Sequence, residues 1–331
     1  MPRPTSPPSS TTRTETMNQR KRSRLRPVDG VLLLNKPAGL SSNQALQRVK
    51  RLLKAQKAGH TGSLDPAATG MLPLCFGEAT KVCSFLLDAD KTYRVTARLG
   101  QRTDTGDADG SIVGEAEVPK LDDADWQAIL DGFRGHTEQV PPMYSALKRN
   151  GKRLYELARK GETVEREPRP IRIDEIDLLE VAGTRLVFRV SCSKGTYVRS
   201  LVEDIAAKAG TVAHTARLHR ERVGRFAAEG MIDLAAAESL AEEDEAPLEA
   251  RLLPPDSALT SFVAVAVDAD AADRFRHGQG VRAAEIEERG LVRVYGPGGD
   301  EDFLGVGEVA DGGTIAPRRV FAGRTIKSPN N

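Results

Sequence analysis

Cysteine is scarce in this chain of 331 residues: Cys75, Cys83 and Cys192 are an odd number with no C-x-x-C spacing. That argues against a disulfide framework and against a zinc cluster, and it fits a reducing cytoplasm. No apolar run approaches the roughly 20 residues that a membrane-spanning helix needs, and the leading segment has no apolar signal core. Neither a membrane anchor nor export is expected. The G-x-x-x-x-G-K-[ST] phosphate loop, the G-x-S-x-G elbow and the H-E-x-x-H pair are missing as well. The string from Gly305 to Ala310 comes nearest to a dinucleotide fingerprint, but it lies among short strand patterns without a following helix. The chemistry is therefore expected to run without a cofactor and without a metal.

Aromatic residues make up 5% of the chain beside 39% hydrophobic and 29% charged residues, a composition that predicts a soluble globular protein of one large and one smaller domain. The net charge of +1 conceals an asymmetry. Residues 1 to 60 hold 13 Lys or Arg against Glu15 and Asp29, while acidic residues gather between Glu238 and Glu249. Such a basic front suits a polyanionic partner, although basic clustering alone is as often a solvated face.

Residues 1 to 26 are rich in Ser, Thr, Pro and Arg and read as a disordered basic tail, faintly like a transit peptide; Met17 offers an alternative start. Gly30 to Leu34 then reads as a buried strand. Ser42 is a plausible cap for a helix whose apolar face holds Ala45, Leu46, Val49, Leu52 and Leu53, and whose other face is basic. Further on, the patterns predict a helix near residues 78 to 87 and strands over 92 to 99, 171 to 179 and 185 to 192. A helix from Val198 should close at Gly210. Residues 141 to 169 form a basic insertion with two short helical patterns and no apolar stripe. The Leu-Leu-Pro-Pro run at 252 to 255 reads as a linker, and the glycine-rich strands after Ser257 as a small β-barrel.

Residues 59 to 73 break all periodicity with three glycines and two prolines, which in a compact domain marks a loop with a function. Its one carboxylate is Asp65, followed by Pro66. Taken alone, Asp before Pro is most simply a turn starter or a cap.

Three further strings change the balance: Gly30 to Pro37 (GVLLLNKP), Lys91 to Val95 (KTYRV) and Cys192 to Arg199 (CSKGTYVR). With the loop GHTGSLDPAATG from Gly59 to Gly70 they resemble the bacterial tRNA pseudouridine-55 synthases, the TruB family, from about Val28 to the C-terminus. The resemblance implies an α+β fold, with a mixed β-sheet core flanked by helices over residues 28–251 and a thumb insertion at 141–169. A linker and a small PUA-like RNA-binding β-barrel would fill 252–331, behind a tail at 1–27.

The same resemblance implies an isomerase that turns the uridine at position 55 of the tRNA T-arm loop into pseudouridine. Asp65 would be the catalytic carboxylate, acting as a nucleophile at C1′ or as a base at C2′, two roles the sequence leaves open. Arg199 would keep it ionised and Tyr93 would stack on the flipped base. His60 would wedge into the loop, Tyr197 and Leu218 would line the base pocket, and Lys36 and Lys81 would lie near the cleft. Without the resemblance, each of these is more simply a core or surface residue. A full basic thumb implies recognition of the T-arm without a guide RNA, unlike relatives such as dyskerin, and a monomer is the default.

Two other readings remain open: an RNA-folding helper using the same cleft, and a nucleoside glycosidase drawing a second carboxylate from Asp104, Asp107 or Asp109.

Overall fold

The structure is a computed structural model that describes residues 25–149, 151–282, 289–310 and 312–321. Most of the leading tail, including Met17, lies outside the described residues. Arg26, placed in the tail by the sequence reading, belongs to the folded body. Its amide donates to Lys54 O at 2.7 Å and its guanidinium pairs with Glu249 at 2.7 Å.

The first half of the larger domain runs β1 (Gly30–Lys36), α1 (Ser42–Leu52), β2 (Ala58–His60), β3 (Thr69–Phe76), α2 (Cys83–Asp88), β4 (Lys91–Leu99), β5 (Gln101–Thr103), β6 (Ile112–Glu115), α3 (Asp123–Asp131) and β7 (Gly135–Gln139). The second half runs β8 (Lys148–Arg149), β9 (Lys152–Arg153), α4 (Leu154–Ala158), β10 (Arg169–Ala182), β11 (Arg185–Cys192), α5 (Val198–Lys208), β12 (Ala213–Val223), β13 (Ile232–Asp233), α6 (Leu234–Leu240) and α7 (Ala246–Glu249). Nine strands form one mixed sheet in the order β13-β1-β3-β12-β4-β11-β10-β7, with β2 also paired to β3. β1 is apolar without alternation because both of its faces are covered: Leu32 and Leu34 pack with α1, Val31 and Leu33 against Met71 and Val223.

Two cores divide the sheet. One lies under α1, α6 and α7 at β1 and β3; the other lies under α3 and α5 at β4, β10 and β11. β12 is the seam between them. It pairs with β4 along its length, whereas its ladder with β3 is the short His219–Thr69 and Arg220–Gly70 register. A sheet joined so briefly at its middle leaves room above the seam for a cleft.

Several local expectations change. The cap of α1 is Ser41, which forms a capping box with Gln44; Ser42, read as the cap from sequence, turns inward instead. The helix read over 78 to 87 begins as a 3₁₀ turn over Gly77–Val82 before α2. The basic insertion holds the β8–β9 hairpin and a single helix, α4, whose Leu154 and Leu157 are buried. On α1, Arg48 pairs with Glu238 of α6, and just past its end Lys54 pairs with Glu245 at the start of α7, so part of this basic stretch meets acidic side chains rather than open solvent.

The Leu-Leu-Pro-Pro run is not a free linker. Val31 and Leu253 exchange two backbone hydrogen bonds at 2.8 Å. Beyond it come β14 (Val263–Ala266), α8 (Ala269–Arg276), β15 (Val281–Arg282), β16 (Gly290–Tyr295), β17 (Phe303–Ala310) and β18 (Thr314–Val320). They form a five-stranded sheet in the order β14-β16-β17-β18-β15, and its apolar face closes on Ala271, Ala272 and Phe275 of α8. This is the smaller C-terminal domain read as a small β-barrel from the glycine-rich pattern, seen here as a five-stranded sheet with β14 and β15 at its edges.

Candidate active site

The loop between β2 and β3 carries Asp65 and is held from several sides. The Ser42 hydroxyl accepts the Leu64 amide at 2.8 Å, and the Leu64 carbonyl accepts the same hydroxyl at 3.1 Å. Lys36, at the end of β1 and fully buried, donates to the carbonyls of Leu40 at 2.7 Å, Pro37 at 2.9 Å and Pro66 at 3.2 Å. From below, Arg220 donates to Met71 O at 2.7 Å and to Gly62 O at 3.0 Å. The bend needs Gly62, whose φ of +77° lies in the left-handed region.

Arg199 comes from the first turn of α5. Its Nε stands 3.0 Å from Asp65 Oδ2 in an ion pair, while its terminal nitrogens donate to Thr105 O at 2.8 Å and Tyr144 O at 2.7 Å. Asp107 Oδ2 stands 3.7 Å from the same guanidinium. The arginine therefore gathers three separate segments: the Asp65 loop, the β5–β6 turn and the base of the insertion. Its side chain is only 7% exposed, whereas Asp65 keeps 45% of its side chain open. A locked, buried cation holds up an accessible carboxylate.

Opposing influences act on Asp65. Desolvation by the surrounding protein pushes its pKa up, Arg199 and then Lys36 pull it down, and the like charges of Asp107 and Asp109 push it up again; the net direction is upward. Lys36 is pushed down to about 8, chiefly by burial. Burial also lowers the His60 pKa, with Arg220 adding to the effect, and it raises the phenols of Tyr93 and Tyr197. The site thus presents a carboxylate among neutral ring groups.

From the loop, past Ala67 and Thr69, a groove of about 690 Å³ continues across the sheet, lined by Leu218 and His219 and by Arg94, Arg98, Arg185 and Arg217. An open groove of that size edged by arginines suits a phosphate-bearing chain.

Models built from known families cover most of the chain. The N-terminal domain of the TruB family pseudouridylate synthases matches residues 50–198, and the C-terminal domain of tRNA pseudouridylate synthase B matches 199–260. The C-terminal model of pseudouridine synthase II TruB matches 264–321. A tRNA pseudouridine synthase B of Chromohalobacter salexigens is 50% identical over 313 residues, 93% of this chain and 99% of that protein. Its counterpart in Pseudomonas putida is 49% identical over 306 residues, 92% of this chain and 99% of that one. The chain belongs to the TruB family.

Among solved structures, a chain of a Cbf5-Nop10-Gar1 complex is similar at a TM-score of 0.68 and 26% identity, covering 89% of this chain and 85% of that chain. The TruB-family sheet core and the smaller C-terminal domain thus share an architecture with a chain of that crystallised complex.

Within this TruB-family chain the residues singled out from sequence divide. Asp65 and Arg199 meet directly. Tyr93 sits mid-strand in β4, opposite Arg220 of β12, and Leu218 stands opposite Val95 at the groove. Tyr197 precedes α5, its backbone bracketed by the Gln139 side chain. His60 ends β2, half-buried, with its Nδ1 unpartnered.

Lys36 lies beside the Asp65 loop, as expected of a cleft lysine, but Lys81 lies away from it. Lys36 is too deeply buried to reach RNA and acts as a pin for the loop. Lys81 donates to Val320 O at 2.7 Å, lies 5.5 Å from the centre of the Phe321 ring and pairs with Glu78, which makes it a strut to the C-terminal domain. It follows the far end of β3, roughly 20 Å along the strand from the Asp65 loop.

Three residues carry more of the site than their sequence context announced. Ser42 was hidden by the neighbouring serine that caps the helix. Asp107, named from sequence only as one of three candidate second carboxylates, turns its carboxylate inward to Arg199 and is 16% exposed. Arg220, in the alternating basic run from Arg217 to Arg222, gave no outward signal of being the buried member.

Proposed function

We propose that this chain is a tRNA pseudouridine synthase that isomerises the uridine at position 55 of the T-arm loop, with Asp65 as its catalytic carboxylate. The observation that carries the reading is the Asp65–Arg199 ion pair at 3.0 Å, an accessible carboxylate held beside an immobile, buried guanidinium.

The target uridine must leave its stack before its C1′ and C5 can be reached. His60, neutral because burial lowers its pKa, fills the gap left in the RNA loop. The flipped base lies on Tyr93, whose raised pKa keeps the phenol protonated and so avoids a second anion beside Asp65. Tyr197 and Leu218 wall the base.

The C1′–N1 bond then breaks with its electron pair leaving on the uracil. The base turns and C5 bonds to C1′, which displaces Asp65 if it has attacked there or is accompanied by return of the proton to C2′ if that was removed; the C5 proton is then lost as N1 gains one. Asp65 starts the sequence either by attacking C1′ or by removing the C2′ proton; both demand the ionised form that Arg199 favours. A protein that only remodels RNA has no use for an exposed carboxylate, which repels phosphate. The exposed cations of the β8–β9 hairpin, Lys148, Arg149 and Lys152, hold the T-arm by its phosphates. The enzyme works in the cytoplasm as a monomer without a guide RNA.

The test is tritium release to water from a T-arm hairpin labelled at C5 of its uridines, with Asp65→Asn beside the wild type. Release by the wild type alone is expected. Tight hairpin binding without release from either protein would replace this reading with an RNA-folding role.

A further inference from the structure

Arg220 is a buried charge to which the mechanism gives no task. Arg220 is 1% exposed, and its hydrogen-bond partners are the backbone carbonyls of Met71 at 2.7 Å and Gly62 at 3.0 Å rather than a carboxylate. Its remaining terminal nitrogen lies 3.5 Å from where a Cβ on Gly62 would stand, so the guanidinium fills the space beneath the bend of the catalytic loop. Taking a guanidinium out of water costs several kcal/mol even after relaxation. A loop that needed only to be ordered could be held by neutral donors.

Its place in the sheet suggests what the charge is for. β12 is the strand that pairs with both β3 and β4, and Arg220 stands opposite Gly70 on one side and Tyr93 on the other. Directly opposed residues of an antiparallel pair send their side chains to the same face, so the guanidinium and the phenol share one side of the sheet. Among the influences on the Tyr93 phenol, Arg220 is the largest that opposes the upward push of burial. Gly70 permits the close strand crossing, since a Cβ there would collide with the Arg220 backbone.

We propose that Arg220 is a positioning residue for the reaction: one guanidinium ties both arms of the Asp65 loop to the Tyr93 strand and so sets the spacing between carboxylate and phenol. The inference rests on the uridine-isomerising reading above. It concerns the two groups that contact the flipped nucleotide from different sides, whose spacing nothing else in the sheet fixes so directly. Met71 and Gly62 flank the loop; Tyr93 faces the same guanidinium across the seam. A shift of about 1 Å in such a pair is enough to cost roughly 100-fold in rate without weakening the hold on the rest of the RNA.

The experiment uses the full chain with Arg220→Met, Arg220→Lys, Tyr93→Phe and the Arg220→Met/Tyr93→Phe double variant. Each is measured for hairpin affinity, thermal midpoint and single-turnover tritium release from the C5-labelled hairpin at saturating enzyme. Arg220→Met is expected to bind the hairpin as the wild type does and to turn over roughly 100-fold more slowly, with Arg220→Lys recovering part of the rate. The penalty should shrink in the Tyr93→Phe background, because the two residues act through one contact. A wild-type rate in Arg220→Met, affinity falling in step with rate, or equal penalties in both backgrounds overturns the proposal. If Arg220→Met does not fold, Arg220→Lys decides: slower turnover at intact affinity supports the proposal, and full activity overturns it. A wild type that releases no tritium would sink the uridine-isomerising reading itself, whereas wild-type release matched by the Arg220 variants sinks only this inference.

Discussion

The Ser42 hydroxyl and the Leu64 backbone are joined twice, once through the Leu64 amide at 2.8 Å and once through its carbonyl at 3.1 Å. This clamp acts on the residue before Asp65 and connects the first turn of α1 to the catalytic loop. Ser42→Ala leaves a buried amide without a partner, a loss of about 1–3 kcal/mol of stability. It also frees the loop, so single-turnover rate should fall roughly tenfold or more while hairpin affinity holds. Denaturant unfolding and tritium release measure the two effects. Lost stability with an unchanged rate would show that the clamp shapes the fold without setting the position of Asp65.

The Asp65 pKa is raised, and the active form is the carboxylate, so the acid limb of the single-turnover rate should lie above the range of an ordinary aspartate. The like charge of Asp107 contributes to that rise. Removing it in Asp107→Asn lowers the Asp65 pKa and moves the acid limb toward lower pH. The neutral variant also leaves Arg199 with one fewer anion to share, which acts in the same direction. A pH series from about 4 to 8, run at saturating enzyme, brackets the limb in both proteins. An acid limb that moves to higher pH in the variant would contradict this electrostatic account.

Periodicity made most of the larger domain legible before any coordinates: the buried run of β1, the apolar stripe of α1, the β10–β11 hairpin and α5 ending at Gly210 all follow from side-chain pattern and end signals. The pairing of Asp65 with Arg199 was legible only through resemblance, because nothing local brings residues so far apart in sequence to one place. Long-range polar geometry was the part that pattern could not reach. Whether a basic residue faces water or a carbonyl depends on which strands lie beside it. Lys36 and Arg220 are buried for that reason, and Lys81 is drawn to the C-terminal domain. Adjacent serines posed a similar problem, since Ser41 and Ser42 are equivalent as caps until the loop carrying Leu64 folds over one of them.

Lys36 supplies a direct check on that distinction. Its ammonium is fully buried and satisfied by three carbonyls, so it releases no counterion when RNA binds. Lys36→Met should destabilise the fold by about 2–3 kcal/mol through the abandoned carbonyls, yet leave the slope of log affinity against log salt unchanged. A slope smaller by about one would mean that Lys36 meets a phosphate after all.

The insertion should behave in the opposite way. Lys148, Arg149 and Lys152 are exposed on the β8–β9 hairpin, away from the core, and nothing in the fold depends on their charge. The base of the same insertion is tied to the site through Tyr144 O, which accepts from Arg199, so the hairpin has its root beside the chemistry. Replacing all three cations with serine should leave the thermal midpoint in place and weaken the hairpin complex. The salt slope should drop by roughly 0.7 to 0.9 for each phosphate that the variant no longer neutralises. Once enzyme is saturating, tritium release should proceed near the wild-type rate, because these residues hold the RNA and do not touch the reacting uridine. If the rate at saturation falls while the salt slope stays constant, the hairpin has a part in arranging the nucleotide, and its proposed role as a phosphate clamp is wrong.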